Sequence, residues 1–213
     1  MFNHILYPLA TASGIVLAAA LVNWLCPVPP CPEISRSRLI SVSFANTFVT
    51  LFCLSFLPPA TYSNFHDHSV AWCVFSSLLY LVGTDALLWG MHYCLHTRFL
   101  YSKVHYYHHQ IKEPSAFAFG FVHPVEMLLP WALLFVGPFL FPVYWLTFWV
   151  YAGILGIIAL LEHGDGLKLI PFLNDRDYHN LHHTRSSANF GIGLFSTWWD
   201  KLAGCYVPST KSS

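Results

Sequence analysis

Polar side chains interrupt this chain at intervals that leave four long apolar stretches, from about Ile5 to Cys26, Leu39 to Leu57, Val70 to Leu95 and Met127 to Leu161. Each of the first three approaches the ~20 residues that cross a bilayer as one helix. The fourth is about 35 residues long and carries Pro138 and Pro142, residues that remove a helix donor and break the ladder. It predicts a tight helical hairpin with a short first arm that dips into the membrane. The first stretch has neither a basic leader nor a small-residue cleavage pattern, so it is expected to stay as a span. The pattern predicts an all-α integral membrane protein, a single membrane domain over residues 1–213, with about four transmembrane helices: three spans plus the hairpin.

Composition strengthens this reading. Hydrophobic residues make up 55% of the chain and charged residues only 9%, where a soluble domain carries about a quarter charged. A net charge of zero excludes the basic stripe of a nucleic-acid-binding domain. The six cysteines contain no C-x-x-C pair and read as small apolar residues.

The few charges are placed unevenly. Basic residues fall in the first loop (Arg36, Arg38), after the third stretch (Arg98, Lys103, Lys112) and in the C-terminal region (Lys168, Arg176, Arg185, Lys201, Lys211), whereas residues 58–69 have none. If the hairpin returns to its starting face, all the basic residues share one side. The positive-inside rule makes that side cytosolic.

Eight of the thirteen histidines form three groups on that side: His92-x-x-x-His96, His105-x-x-His108-His109 and His179-x-x-His182-His183. Residues at i, i+3 and i+4 share a helix face, so each group is expected to offer its imidazoles to a common point. The second and third groups repeat one spacing, which coincidence explains poorly. No single metal accepts eight imidazoles, so two metals in a helical cytosolic cap are the economical reading. Neutral all-nitrogen ligation suits iron, copper, nickel or zinc, and surplus ligands around two open metals suit oxygen activation. Asp85 lies seven residues before His92 and eleven before His96, within an apolar stretch. It is expected to accept a hydrogen bond from a ligating imidazole, the alternative being a polar contact between spans. Glu126 and Glu162 could do the same work or mark helix ends.

These residues carry a resemblance. Asp85-Ala-Leu-Leu-Trp-Gly-Met-His92 through His96, then His105-Tyr-Tyr-His-His109, His123-Pro-Val-Glu126, His179-Asn-Leu-His-His183, Asn189-Phe-Gly191 and Trp199-Asp-Lys-Leu202 resemble the fatty acid hydroxylase/sterol desaturase superfamily over most of residues 80–206. The resemblance implies an endoplasmic-reticulum enzyme with two iron ions bound by histidines, using O2 and electrons from NAD(P)H delivered by cytochrome b5 or a similar carrier. It implies His92, His96, His105, His108, His109, His179, His182 and His183 as ligands. His163 matches an additional histidine before the third group, and His123 matches the His-Pro-x-Glu element of the sterol-oxidising branch. One departure is Tyr93, where many relatives have arginine directly after the first histidine. His4, His66 and His68 match nothing.

The expected activity is hydroxylation or desaturation of a membrane lipid, whose unactivated C–H bonds need an oxidant that no side chain supplies. The His-Pro-x-Glu element points to a sterol or sterol-like substrate, the alternative being a fatty-acyl, sphingoid or carotenoid one. A rival of another class is a polyhistidine protein that binds or transports metal without catalysis. Ligands beyond the span ends, rather than at the midplane, argue against a conducting path. The chain has no G-x-G-x-x-G, P-loop or C-x-x-C-H, so electrons need a separate donor. Arg98, Lys103, Lys112 and Arg185 could receive an acidic one.

Overall fold

A computed structural model of the chain describes residues 3–25, 34–56, 62–63, 67–112, 114–163 and 176–208. Four helices are long and apolar enough to cross a membrane: α1 (Asn3–Leu25), α2 (Arg36–Leu54), α3 (Val70–Leu95) and, later in the chain, a helix over Trp145–Glu162. Only 17–28% of each span's apolar window is buried within the protein, so most of its side chains face outward, as lipid-facing helices require. The protein is an all-α membrane protein. Serine side chains start two of the spans: Ser35 accepts from the Arg38 amide and Ser69 from the Trp72 amide. Cys26, Cys31, Lys168, Lys211, His66 and most of the loop after α2 lie outside the described residues, and nothing of the His4 side chain is described.

After α3 the chain continues through α4 (Arg98–Leu100), a π-helical turn (Tyr101–His105), α5 (Tyr106–His109) and a 3-10 turn (Ala116–Gly120). The hairpin follows, as α6 (Pro124–Leu140) and α7 (Trp145–Glu162), then α8 (Arg176–Thr184) and α9 (Ser196–Ala203). Its break differs from the expected one. α6 runs straight through Pro138 and stops only at Phe141-Pro142. A proline orphans the carbonyl four residues earlier, here Leu134, and the Tyr80 hydroxyl of α3 donates to that carbonyl at 3.0 Å. Neighbouring helices commonly re-satisfy such groups inside membranes.

The hairpin tip also corrects the expectation of a shallow first arm. Val143 and Tyr144 pair in parallel with Tyr62 and Ser63 of the α2–α3 loop, at the end of the bundle opposite the histidines. α6 therefore covers the distance between the two ends, about 25 Å at 1.5 Å per residue. Its 17 residues fall slightly short of a full hydrocarbon core.

Two apolar clusters hold the bundle. Tyr80, Leu134, Val143, Phe148 and Tyr151 join α3, α6 and α7; a Cβ at Gly137 would overlap the Tyr80 ring, so glycine permits that approach. Leu39, Ile111, Phe117 and Phe121 pack with Ala19 where α1 and α2 meet the segment after α5. Polar residues of α2 fasten that segment. Ser43 donates to the Phe117 carbonyl at 2.6 Å, and the Asn46 amide donates to Gly120 and Val122 at 3.0 and 2.8 Å. This is the interhelical hydrogen bonding that apolar surroundings favour.

Candidate metal centre

The histidine-bearing elements converge at one end of the bundle: the last turn of α3, the π-helical turn and α5, the residue after α7, and α8. Their imidazoles sort into two groups. His92, His96, His105, His109 and His182 form one; His108, His163, His179 and His183 form the other. The second and third sequence groups thus do not each serve one point, as the spacing predicted. Pairs at i and i+4 (His92/His96, His105/His109, His179/His183) stay together. The odd member of each triplet, His108 or His182, joins the opposite group. The reason is angular: at about 100° per residue, adjacent histidines such as His108 and His109 diverge too far to share a ligand point. Each triplet therefore stitches the two groups together, and the rings of His109 and His183 centre 4.7 Å apart across the boundary.

Within each group the Nε2 atoms face one another. In the first group, His92 and His105, His105 and His109, and His109 and His182 are 3.1 Å apart, and His96 and His182 are 3.0 Å apart. In the second, His183 and His179 are 3.0 Å apart, His179 and His163 3.1 Å, and His163 and His108 3.4 Å. Ligands at right angles around a metal, each at about 2.1 Å, are about 3.0 Å apart. The donor sets fit two metal ions.

Hydrogen bonds on the far side of the rings set the tautomers. Nδ1 of His92 donates to the Phe190 carbonyl at 2.7 Å, that of His182 to Ala188 at 2.8 Å and that of His163 to Ala159 at 2.6 Å. His105 Nδ1 donates to Glu126 Oε1 at 2.7 Å. With the proton on Nδ1, each Nε2 keeps its lone pair for the centre. Burial lowers the tendency to protonate: His96 falls to about 2, His105 and His182 to about 3, and His163 to about 4, while His108, His179 and His183 lie well below the ordinary imidazole range. At neutral pH these rings are unprotonated, the form that binds metal.

Two expected residues sit elsewhere. Asp85 bonds to no imidazole among the described residues. Its carboxylate accepts from the Leu194 and Phe195 amides at 2.5 and 3.2 Å, Trp199 Nε1 at 2.8 Å and the Tyr151 hydroxyl at 2.9 Å. It is the polar contact between elements, and Glu126 takes the imidazole-orienting place instead. His123 belongs to neither group. It caps α6, accepting from the Val125 amide at 3.2 Å, with Pro124 at the first helical position. His68 lies beside Trp72 at the start of α3, at the far end, with the two rings tilted to one another. Gly164, Asp165 and Gly166, which follow His163, lie outside the described residues.

One buried acid was given no role by the sequence. Asp200, fully buried on α9, accepts from the Phe190 and Gly191 amides, the Trp89 indole, the Tyr178 hydroxyl and the Cys205 thiol. Its signal was its place in the Trp199-Asp-Lys-Leu202 run of the resemblance; its buried neighbours on α9, Ser196 and Thr197, are polar as well.

The fatty acid hydroxylase family profile matches residues 77–205, which include every histidine of both groups. The chain belongs to the fatty acid hydroxylase family. It is 33% identical over 136 residues to a very-long-chain aldehyde decarbonylase of Oryza sativa subsp. japonica, covering 60% of this chain and 44% of that protein. Lathosterol oxidase of Rattus norvegicus is 28% identical over 151 residues, 68% of this chain and 50% of its own. A Delta(7)-sterol 5(6)-desaturase of Aspergillus fumigatus is 30% identical over 129 residues, 60% of this chain and 36% of its own. This family member thus spans half or less of the length of these relatives. No solved structure matches it.

Proposed function

We propose that this chain is an oxygen-dependent oxidoreductase of membrane lipids whose two histidine groups hold two iron ions. The observation that carries the reading is the pair of adjacent, buried, unprotonated imidazole groups at the end of lipid-facing helices. A closed structural zinc site takes four ligands, and the group of five exceeds that number. Bound there, a pair of redox-active ions supplies the O2 activation that an unreactive C–H bond demands.

The chain's own residues do the rest. Nine imidazoles hold the ions, Glu126 and the carbonyls of Ala159, Ala188 and Phe190 fix the rings, and the apolar spans admit substrate laterally from the bilayer. The reaction is hydroxylation or desaturation of a sterol or sterol-like lipid. The His123-Pro-Val-Glu126 element and the sterol-oxidising names among the relatives support that substrate, and the decarbonylase name keeps long-chain acyl derivatives as the alternative. Electrons come from NAD(P)H through cytochrome b5 or a comparable carrier. The histidine end faces the cytosol at the endoplasmic-reticulum membrane, where positive-inside topology puts its basic residues.

The test has two arms. Purified chain is assayed for iron and for its absorbance change on anaerobic reduction followed by O2, and lipids from cells with and without the chain are compared by mass spectrometry. Iron near two per chain, a response to O2 and a new oxidised or desaturated sterol are expected. Bound metal that ignores both reductant and O2 would instead mark a passive metal-binding protein.

A further inference from the structure

The loop from Ser186 to Gly191, between α8 and α9, carries no histidine. Yet two of the five imidazoles of the first group bond to its backbone: His182 to the Ala188 carbonyl at 2.8 Å and His92 to the Phe190 carbonyl at 2.7 Å. None of the second group bonds to this loop among the described residues. The loop's shape depends on two residues. Asn189 has φ of 58°, a left-handed conformation that asparagine tolerates better than most residues, and its side chain accepts from the Val207 amide at 2.8 Å and donates to the Val207 carbonyl at 3.0 Å. At Gly191 a Cβ would collide with Ser196 and the Tyr178 hydroxyl.

Beneath the loop lies Asp200. The amides of Phe190 and Gly191 donate to its carboxylate at 3.0 and 3.3 Å, the Trp89 indole donates at 2.9 Å, and the Tyr178 hydroxyl donates as well. Trp89 is three residues before His92 on α3, and Tyr178 immediately precedes His179 on α8. One carboxylate therefore ties the loop to both helices that present His92 and His182.

We propose that Asp200 is a positioning residue of the five-histidine centre, acting through the backbone of Ala188 and Phe190 on His182 and His92. The inference rests on the dimetal reading above. Asp85 provides the internal comparison. It too holds two amides, one indole and one tyrosine hydroxyl, without the Cys205 thiol that also reaches Asp200, but its amides are those of Leu194 and Phe195, whose carbonyls meet no histidine among the described residues.

Full-length wild type, Asp200→Asn and Asp85→Asn are loaded with iron, and metal content, Mössbauer spectra and thermal unfolding are measured. Wild type with two ions sustains the dimetal reading; fewer takes that reading and this inference down together. Asp200→Asn is expected to weaken one of the two ions by about 10- to 100-fold, the usual cost of losing an orienting contact. It should leave the other ion's spectrum unchanged, while Asp85→Asn lowers thermal stability and keeps both. If Asp200→Asn does not fold, Trp89→Phe removes a single donor and is expected to perturb the same ion to a smaller extent. Two native ions in the Asp200 variant, equal loss of both, or the same selective loss in Asp85→Asn would each overturn the proposal.

Discussion

The two histidine groups share α5 and α8, with the end of α3 completing one and the end of α7 the other, and they are supported differently. In the group of five, three rings are fixed from behind: His92 and His182 by carbonyls and His105 by the Glu126 carboxylate. In the group of four only His163 is held this way, by Ala159, and Nδ1 of His108, His179 and His183 is buried without a hydrogen-bond partner among the described residues, as is that of His109 in the group of five. A ring held on both edges loses little freedom when it binds a metal; a ring held on one edge loses more. The comparison teaches that donor number and donor preorganisation run together here, so the five-histidine site is expected to bind its ion more tightly.

The largest effect follows from donor count. His108→Ala leaves its group three imidazoles, and His109→Ala leaves its group four, enough for a complete coordination shell in many sites. His108→Ala should bring iron close to one per chain and abolish turnover. His109→Ala should retain close to two, with reduced activity. Metal analysis of both variants decides the matter, and the reverse order would show that the groups are not ranked as their support implies.

Glu126 sharpens the comparison at one ring. Its carboxylate is buried against His105 Nδ1 at a side-chain separation of 2.7 Å. Glu126→Ala leaves that N–H unsatisfied and frees the ring to turn, so about 10- to 100-fold lower metal affinity is expected at the five-histidine site alone. Glu126→Gln keeps an acceptor and should recover most of the loss. Equal damage from both variants would mean that charge, rather than orientation, is what the ring needs.

What the groups share is burial of unprotonated imidazole. His105 and His182 are pulled down to about 3 and His163 to about 4, whereas an unfolded chain protonates histidine near pH 6.5. Below that value the unfolded state binds more protons than the folded one, so stability falls as pH drops. Metal-free protein should hold its thermal midpoint above about pH 6.5 and lose it progressively down to about pH 4. A midpoint that is flat over this interval would place protons on these rings in the folded state.

Much of this was readable in the sequence, for reasons that differ by region. The spans were legible because lipid demands long uninterrupted apolar runs. The i, i+4 histidine pairs were legible because helical periodicity alone puts them on one face. The exchange of His108 and His182 between groups was not, since it depends on how α5 and α8 face each other. Asp85 misled because its distance from His92 along α3 suited a hydrogen bond, while its actual partners Leu194, Phe195 and Trp199 lie more than a hundred residues away. Pro138 was read as a break because the rescuing hydroxyl of Tyr80 belongs to another helix.

His123 gives the smallest expected effect and tests the boundary of the site. It opens the His123-Pro-Val-Glu126 element, yet its Nδ1 accepts from the Val125 amide and its ring lies beside Tyr107, outside both groups. A side-chain cap contributes about 1 kcal/mol, and Pro124 already lacks the first orphan N–H that a cap would compensate. His123→Ala should therefore lower the thermal midpoint by a few degrees at most and leave both irons and turnover in place. His123→Asn, which can restore the cap, should recover even that loss. Should His123→Ala instead release iron, the ring would have to swing from its capping position to join a group. The separation of capping and ligating histidines drawn here would then be wrong.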